Sequence, residues 1–151
     1  MAASRQTMWP EVAASADPAR ASVALERIGK AFPSCTEQLQ DNGAMRLAVV
    51  NVVAASPFLA RVLATDPAAI DVVAAPGDPV EPTEPLTRWK ALEILRIASL
   101  DLSGLLRLEE VGAALSDLAD GLVRHAGPPA GIVVVAMGKM GARELNYGSD
   151  I

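Results

Sequence analysis

The chain has 151 residues, 51% of them apolar, 3% aromatic and 21% charged, with a formal net charge of −5. That is enough for one ordinary domain, and too apolar for a disordered chain. A single Cys and a single His exclude a disulfide framework and any metal site built on cysteines or several histidines.

An acidic chain with no basic run is a poor nucleic-acid binder by bulk electrostatics. No apolar stretch approaches the length that spans a bilayer, and MAASRQTMWPEV lacks the basic-then-apolar order of a signal peptide. Neither nucleic acid nor membrane is therefore expected as a partner, and the default compartment is the cytoplasm. The lone Cys35 has nothing nearby to lower its pKa and reads as an inert thiol.

In chain order, Asp17-Pro18 is a helix start, because Asp caps free N–H groups and Pro fits the first helical position. That helix carries Ala21, Ala24, Leu25 and Ile28 and stops near Pro33. Ser34 is expected to cap a second helix, whose apolar face holds Met45, Val49, Val52 and, with them, Leu47 and Val53. Ser56-Pro57 opens a third with Phe58, Leu59, Val62 and Leu63, and Asp66-Pro67 opens a fourth ending near Ala75.

PGDPVEPTEP, residues 76–85, places four prolines in ten positions and is expected to be a solvated, stiffened connection. A long helix follows from Thr87 to Leu102, apolar on more than one side, which predicts neighbours on two faces. The next, Leu108 to Arg124, carries the stripe Val111, Leu115, Leu118 and Leu122. The domain reading is a helical region over 1–75, a Pro-rich linker over 76–86, a second helical region over 87–126 and a different unit over 127–151.

In that last unit, Gly127-Pro128-Pro129 is a loop and GIVVVAM, residues 131–137, predicts a strand buried on both faces. Gly138 and Gly141 imply a tight turn. A short helical piece is expected at Ala142 to Leu145, then a turn over Asn146-Tyr147-Gly148-Ser149, with Asp150-Ile151 opening a second strand. One complete strand has nothing to pair with, so the chain is expected to be the front part of something longer. The alternative is a self-contained helical domain with an apolar tail.

VAMGKMGARELNYGSDI does not fit the familiar glycine motifs. No Gly-Lys-[Ser/Thr] closes a Walker A loop, and the bare G-x-x-G falls short of a dinucleotide fingerprint. Strand, glycine turn, short helix and Gly-Ser-Asp fit a phosphate cradle better. Bare backbone lets a triphosphate approach, and a carboxylate on the second strand is placed to hold Mg²⁺ over it. In-line displacement at phosphorus with two metals needs a second carboxylate two residues on, beyond Ile151.

GIVVVAMGKMGARELNYGSDI closely resembles a signature of the glutamine synthetase adenylyltransferase family, within the polymerase-β-like nucleotidyltransferases. The match runs Gly138, Lys139, Met140, Gly141, Arg143 to Ile151, with Ala142 where the family mostly has Gly. RWKALEILRIASLDLSGLLRLEEVGAALSDLAD and VVNVVAASPFLARVLATDP look more loosely like the helices that precede it. The fold class implied is mainly α: a helical N-terminal region followed by the start of an α/β nucleotidyltransferase domain.

The resemblance implies an enzyme that regulates glutamine synthetase, adding AMP to a tyrosine from MgATP or removing it by phosphorolysis. It implies Mg²⁺ and ATP as cofactors, and glutamine synthetase, nucleotide, phosphate and a nitrogen-signalling regulatory protein as partners. Asp150 is implied as catalytic and as a metal ligand, with Gly138, Lys139, Gly141, Ala142 and Ser149 around the phosphates. The 151-residue chain by itself is expected to be inactive. A non-catalytic helical interaction module and a nucleotidyltransferase with another substrate stay open as alternatives.

The remaining candidates have plainer readings. His125 sits at a helix end, where the dipole favours a cation. Glu109, Glu110, Asp117 and Asp120 read as a solvated helix face, Trp89 as core, Arg143 and Glu144 as a structural pair, and Tyr147 as packing under the loop.

Overall fold

The computed structural model describes residues 9–149, which form nine helices and no strand. They are α1 (Pro10–Ala13), α2 (Pro18–Ala31), α3 (Pro33–Asp41), α4 (Gly43–Ala55), α5 (Pro57–Thr65), α6 (Ala68–Ala74), α7 (Leu86–Leu102), α8 (Leu108–Ala126) and α9 (Gly138–Gly141).

Short polar caps cut the first half into these pieces. The Asp17 carboxylate accepts from Arg20 N, Asn42 Oδ1 from Met45 N, and Ser56 Oγ from Leu59 N, each at a helix start. The second helix expected from Ser34 is two helices. Phe32, which makes no side-chain cap, precedes α3, and Asn42 caps a new start at Gly43. An extended residue at 42, with its side chain on a free N–H, outweighs propensity for continuing across Asp41-Asn42-Gly43.

α4 is the centre of the bundle, with Val49, Val50, Val52 and Val53 all 0% exposed. Around it, Ala21, Leu25 and Ile28 of α2, Leu39 of α3, Leu63 of α5 and Ile70 of α6 close one core. Leu92, Leu95 and Ala98 of α7 belong to that same core, so helices on both sides of the proline-rich stretch pack together. α7 turns its other side, through Ile97, to Val111, Leu115 and Ala119 of α8. This is the two-faced helix its sequence predicts.

The stretch between α6 and α7 is fastened to α7. Arg96 donates to Glu93 through Nε and Nη2 at 2.6–3.0 Å, and this buried pair reaches out in both directions. Val80 N donates to Glu93 Oε2, Arg96 Nη1 donates to the Pro76 carbonyl, and Trp89 Nε1 donates to the Val80 carbonyl. A backbone that prolines keep out of helix and ladder thus finds its partners in side chains.

Beyond α8, which Gly127 ends in the left-handed conformation, residues 131–137 are solvent-facing and carry no helix or strand, with Gly131 in a turn at positive φ. Val133 is 84% and Val135 71% exposed. The strand expected here, buried on both faces, does not form among the described residues. A strand needs a neighbour to take its N–H and C=O groups, and no described segment pairs with this run as a strand. The short helix also lies earlier than expected, at Gly138–Gly141 and not at Ala142 to Leu145. Arg143 takes φ +59°, which no α-helix can continue through. No helix among the described residues is long and apolar enough to cross a membrane.

Candidate functional site

The residues singled out by the glycine-rich signature lie on a surface loop from Met137 to Ser149. Gly138 opens α9 at φ +56°, a conformation that suits glycine. Gly141 N donates back to the Met137 carbonyl, and a Cβ on Gly141 would sit 2.7 Å from the Ala136 carbonyl oxygen. The turn is therefore folded on itself so tightly that only bare backbone fits at 141. Ala142 N donates to the Gly138 carbonyl, and Glu144 N to that of Lys139. Lys139 and Ala142 are exposed.

Asn146 to Ser149 form the expected turn. Ser149 N donates to the Asn146 carbonyl, and Asn146 Oδ1 accepts from Gly148 N and from Ser149 Oγ. Ser149 also lines a cavity of about 570 Å³ with Tyr147, Phe58 and Leu59 of α5, and Ile94 and Asp101 of α7. Gly138, Lys139, Gly141 and Ala142 do not line this cavity. Asp150, with the strand start expected at Asp150-Ile151, lies outside the described residues.

Three contacts seat this loop on the helices. Leu145 is buried with Ile97, Val111, Leu115 and Ala119, and Met140 packs against the same cluster. The Tyr147 hydroxyl donates to Asp101 Oδ2 at 3.1 Å. Burial first, and then the Asp101 carboxylate, push the Tyr147 phenol well above its ordinary pKa. Arg143 donates to Asp117 Oδ1 at 2.5 Å and to the Ala113 carbonyl at 3.2 Å, and lies 3.5 Å from Asp120.

These contacts correct two sequence expectations and extend a third. The ion-pair partner of Arg143 is Asp117, 26 residues earlier, and not Glu144. Asp117 and Asp120 do lie on a solvent-exposed face of α8, as expected, and on that face Arg143 bridges them. Tyr147 is half-exposed on the α7 side of its loop, not packed under it. The signal was available in part: two acids three apart on one face of α8 make a fork for one guanidinium.

His125 fits the plain reading, with Nδ1 2.8 Å from the Gly121 carbonyl oxygen and its ring edge-on to Trp89 at 5.1 Å. Cys35 is buried, and burial raises its thiol to about 11. Among the described residues no three His, Cys, Asp or Glu side chains group to hold a metal ion. The described part of the loop thus offers backbone, hydroxyl and amide groups together with the charged side chains of Lys139, Arg143 and Glu144, while Asp150 lies outside it.

Residues 123–151 match the family described as glutamate-ammonia ligase adenylyltransferase. The chain belongs to this family. It is similar to a bifunctional glutamine synthetase adenylyltransferase/adenylyl-removing enzyme of Rhodopseudomonas palustris, 32% identical over 149 residues, covering 71% of this chain and 15% of the relative. The enzyme of that name from Xanthobacter autotrophicus is 37% identical over 134 residues, covering 68% of the chain and 14% of the relative. That from Caulobacter vibrioides is 34% identical over 176 residues, covering 89% and 18%. The adenylyltransferase-family chain therefore spans about 15% of the length of the curated relatives it matches. No solved structure matches it significantly.

Proposed function

We propose that this chain supplies the helical support and the phosphate-binding loop of an enzyme that moves AMP onto or off a tyrosine of glutamine synthetase. The observation that carries the reading is the family match over residues 123–151, on which every candidate site residue falls. Gly138, Lys139, Gly141, Ala142 and Ser149 contact nucleotide phosphates, and Asp150 is one ligand of Mg²⁺. The bound metal neutralises charge at the reacting phosphate. The loop's part is to bring backbone and the Ser149 hydroxyl close to anionic oxygens, which the bare Cα of Gly141 favours. Residues 127–151 open the nucleotidyltransferase unit, and the enzyme works in the cytoplasm with MgATP, phosphate and a nitrogen-signalling regulator as partners.

The test uses the product of the complete reading frame that encodes the chain. It is incubated with glutamine synthetase and ATP labelled at the α-phosphate. Label is expected on a glutamine synthetase tyrosine, released again by phosphate if both activities are present. Asp150→Asn should lower transfer by more than the roughly hundredfold typical of losing a group that only supports a metal ligand. A wild-type protein that transfers no label and releases none overturns the reading. So does an Asp150→Asn protein of wild-type rate.

A further inference from the structure

The Arg143 bridge carries a consequence beyond the family assignment. Arg143 is the one described non-glycine residue at positive φ, +59°. Such a conformation costs free energy and persists only where its surroundings hold it. Its surroundings are specific. The guanidinium spans Asp117 and Asp120 and also donates to the Ala113 carbonyl, three groups along one side of α8. The Arg143 carbonyl lies over Gly112 of the same helix, where an added Cβ would come within 3.1 Å of it. Main chain and side chain of one residue thus grip one helix, two residues past the glycine turn. An isolated exposed ion pair contributes little to stability, so stability alone does not account for a strained backbone kept at this position.

We propose that Arg143 is a positioning residue: its fork on Asp117 and Asp120 fixes the glycine turn relative to α8, so that the turn's geometry depends on that helix. This rests on the nucleotide reading of the loop, and it gives α8 a way to act on the site. A shift of α8 along its axis would move the turn through Arg143 while the core under α4 stays in place.

Two experiments test it, and they fail separately. The first needs no catalysis. Tyr147 is the only tyrosine in the chain and sits four residues past Arg143, so its ionisation, followed at 295 nm, reports whether the loop is seated. Arg143→Met, and independently Asp117→Asn with Asp120→Asn, should move the midpoint down toward the ordinary phenol value of about 10. Helicity and melting should stay unchanged, and Arg143→Lys should restore most of the shift. The second uses the complete gene product. Arg143→Met should lower kcat for AMP transfer by about tenfold or more, as small misplacements do, with KM for glutamine synthetase unchanged and Arg143→Lys again restoring it. A tyrosine midpoint unmoved in both clamp variants overturns the proposal, as does an Arg143→Met enzyme with the wild-type kcat. A wild-type protein without transfer activity overturns the nucleotide reading instead, and the tyrosine titration then decides the clamp.

Discussion

The Tyr147 hydroxyl donates to Asp101 Oδ2 at 3.1 Å, joining the signature loop to the last turn of α7, 46 residues earlier in the chain. The phenolate is disfavoured here, because burial removes its hydration and the Asp101 charge opposes it.

That relationship has a pH signature. The folded pKa lies above the unfolded value of about 10, so its contribution to stability is present in full below that value and is lost as pH rises through and beyond it. Asp101→Asn should bring the tyrosine midpoint down, yet leave it above the ordinary value, since burial is the larger cause. Absorbance titration of the two proteins checks this, and identical midpoints would contradict it.

Cys35 should be silent toward thiol reagents in the native protein. It is 1% exposed and its thiol is pushed up to about 11 by burial. At pH 8 the expected outcome is no reaction with an aromatic disulfide until denaturant opens the fold. The sign of the pH effect follows: this contribution is complete below about 8.5 and falls away as pH climbs toward the folded value. Rapid labelling of the folded chain at pH 8 would show that α3 is not packed as described.

The Glu93–Arg96 pair should be expensive to break from one side. Glu93→Ala leaves Arg96 buried without its carboxylate and takes the acceptor from Val80 N. The expected destabilisation is roughly 3–5 kcal/mol, read from denaturant unfolding. A cost under about 1 kcal/mol, typical of surface pairs, would mean that the proline-rich stretch is not held by this pair.

The opposite holds for the apolar run before the glycine turn. Val133 and Val135 are 84% and 71% exposed, so replacing both with Thr should leave stability within about 0.5 kcal/mol of wild type. Light scattering on concentrated samples should fall, because an exposed β-branched run invites association. A large loss of stability would show the run packed against something.

Much of the helical body was legible from local chemistry. Asp17, Ser56 and Asp66, each before a proline, mark the starts of α2, α5 and α6 closely, since the capping group and the constrained φ lie within four residues of each other. The stripe on α8 and the two-sided apolar surface of α7 follow from periodicity alone. The break at Asn42 is not marked by a proline, and the apolar face read for that helix lies wholly beyond it, so the Asn42 cap alone sets the boundary.

GIVVVAM shows the limit of reading a strand from composition. β-branched residues favour strand, but a strand and its burial require a partner that composition does not supply, and the run stays exposed without one. For the candidate site, the glycines and the Asn146 turn could be read directly, because their requirements are local. The seat of Arg143 on Asp117 and Asp120 could not, because it joins residues 23 or more apart, which only the packing of α8 brings together.

The central claim is that the loop from Gly138 to Asp150 holds a metal-bound nucleotide. Its most direct test is Mn²⁺ binding by electron paramagnetic resonance on the complete gene product, in the presence of a non-hydrolysable ATP analogue. Wild-type protein should bind the ion with nucleotide, and Asp150→Asn should lose affinity by more than about tenfold. Equal binding by the two proteins would contradict the account.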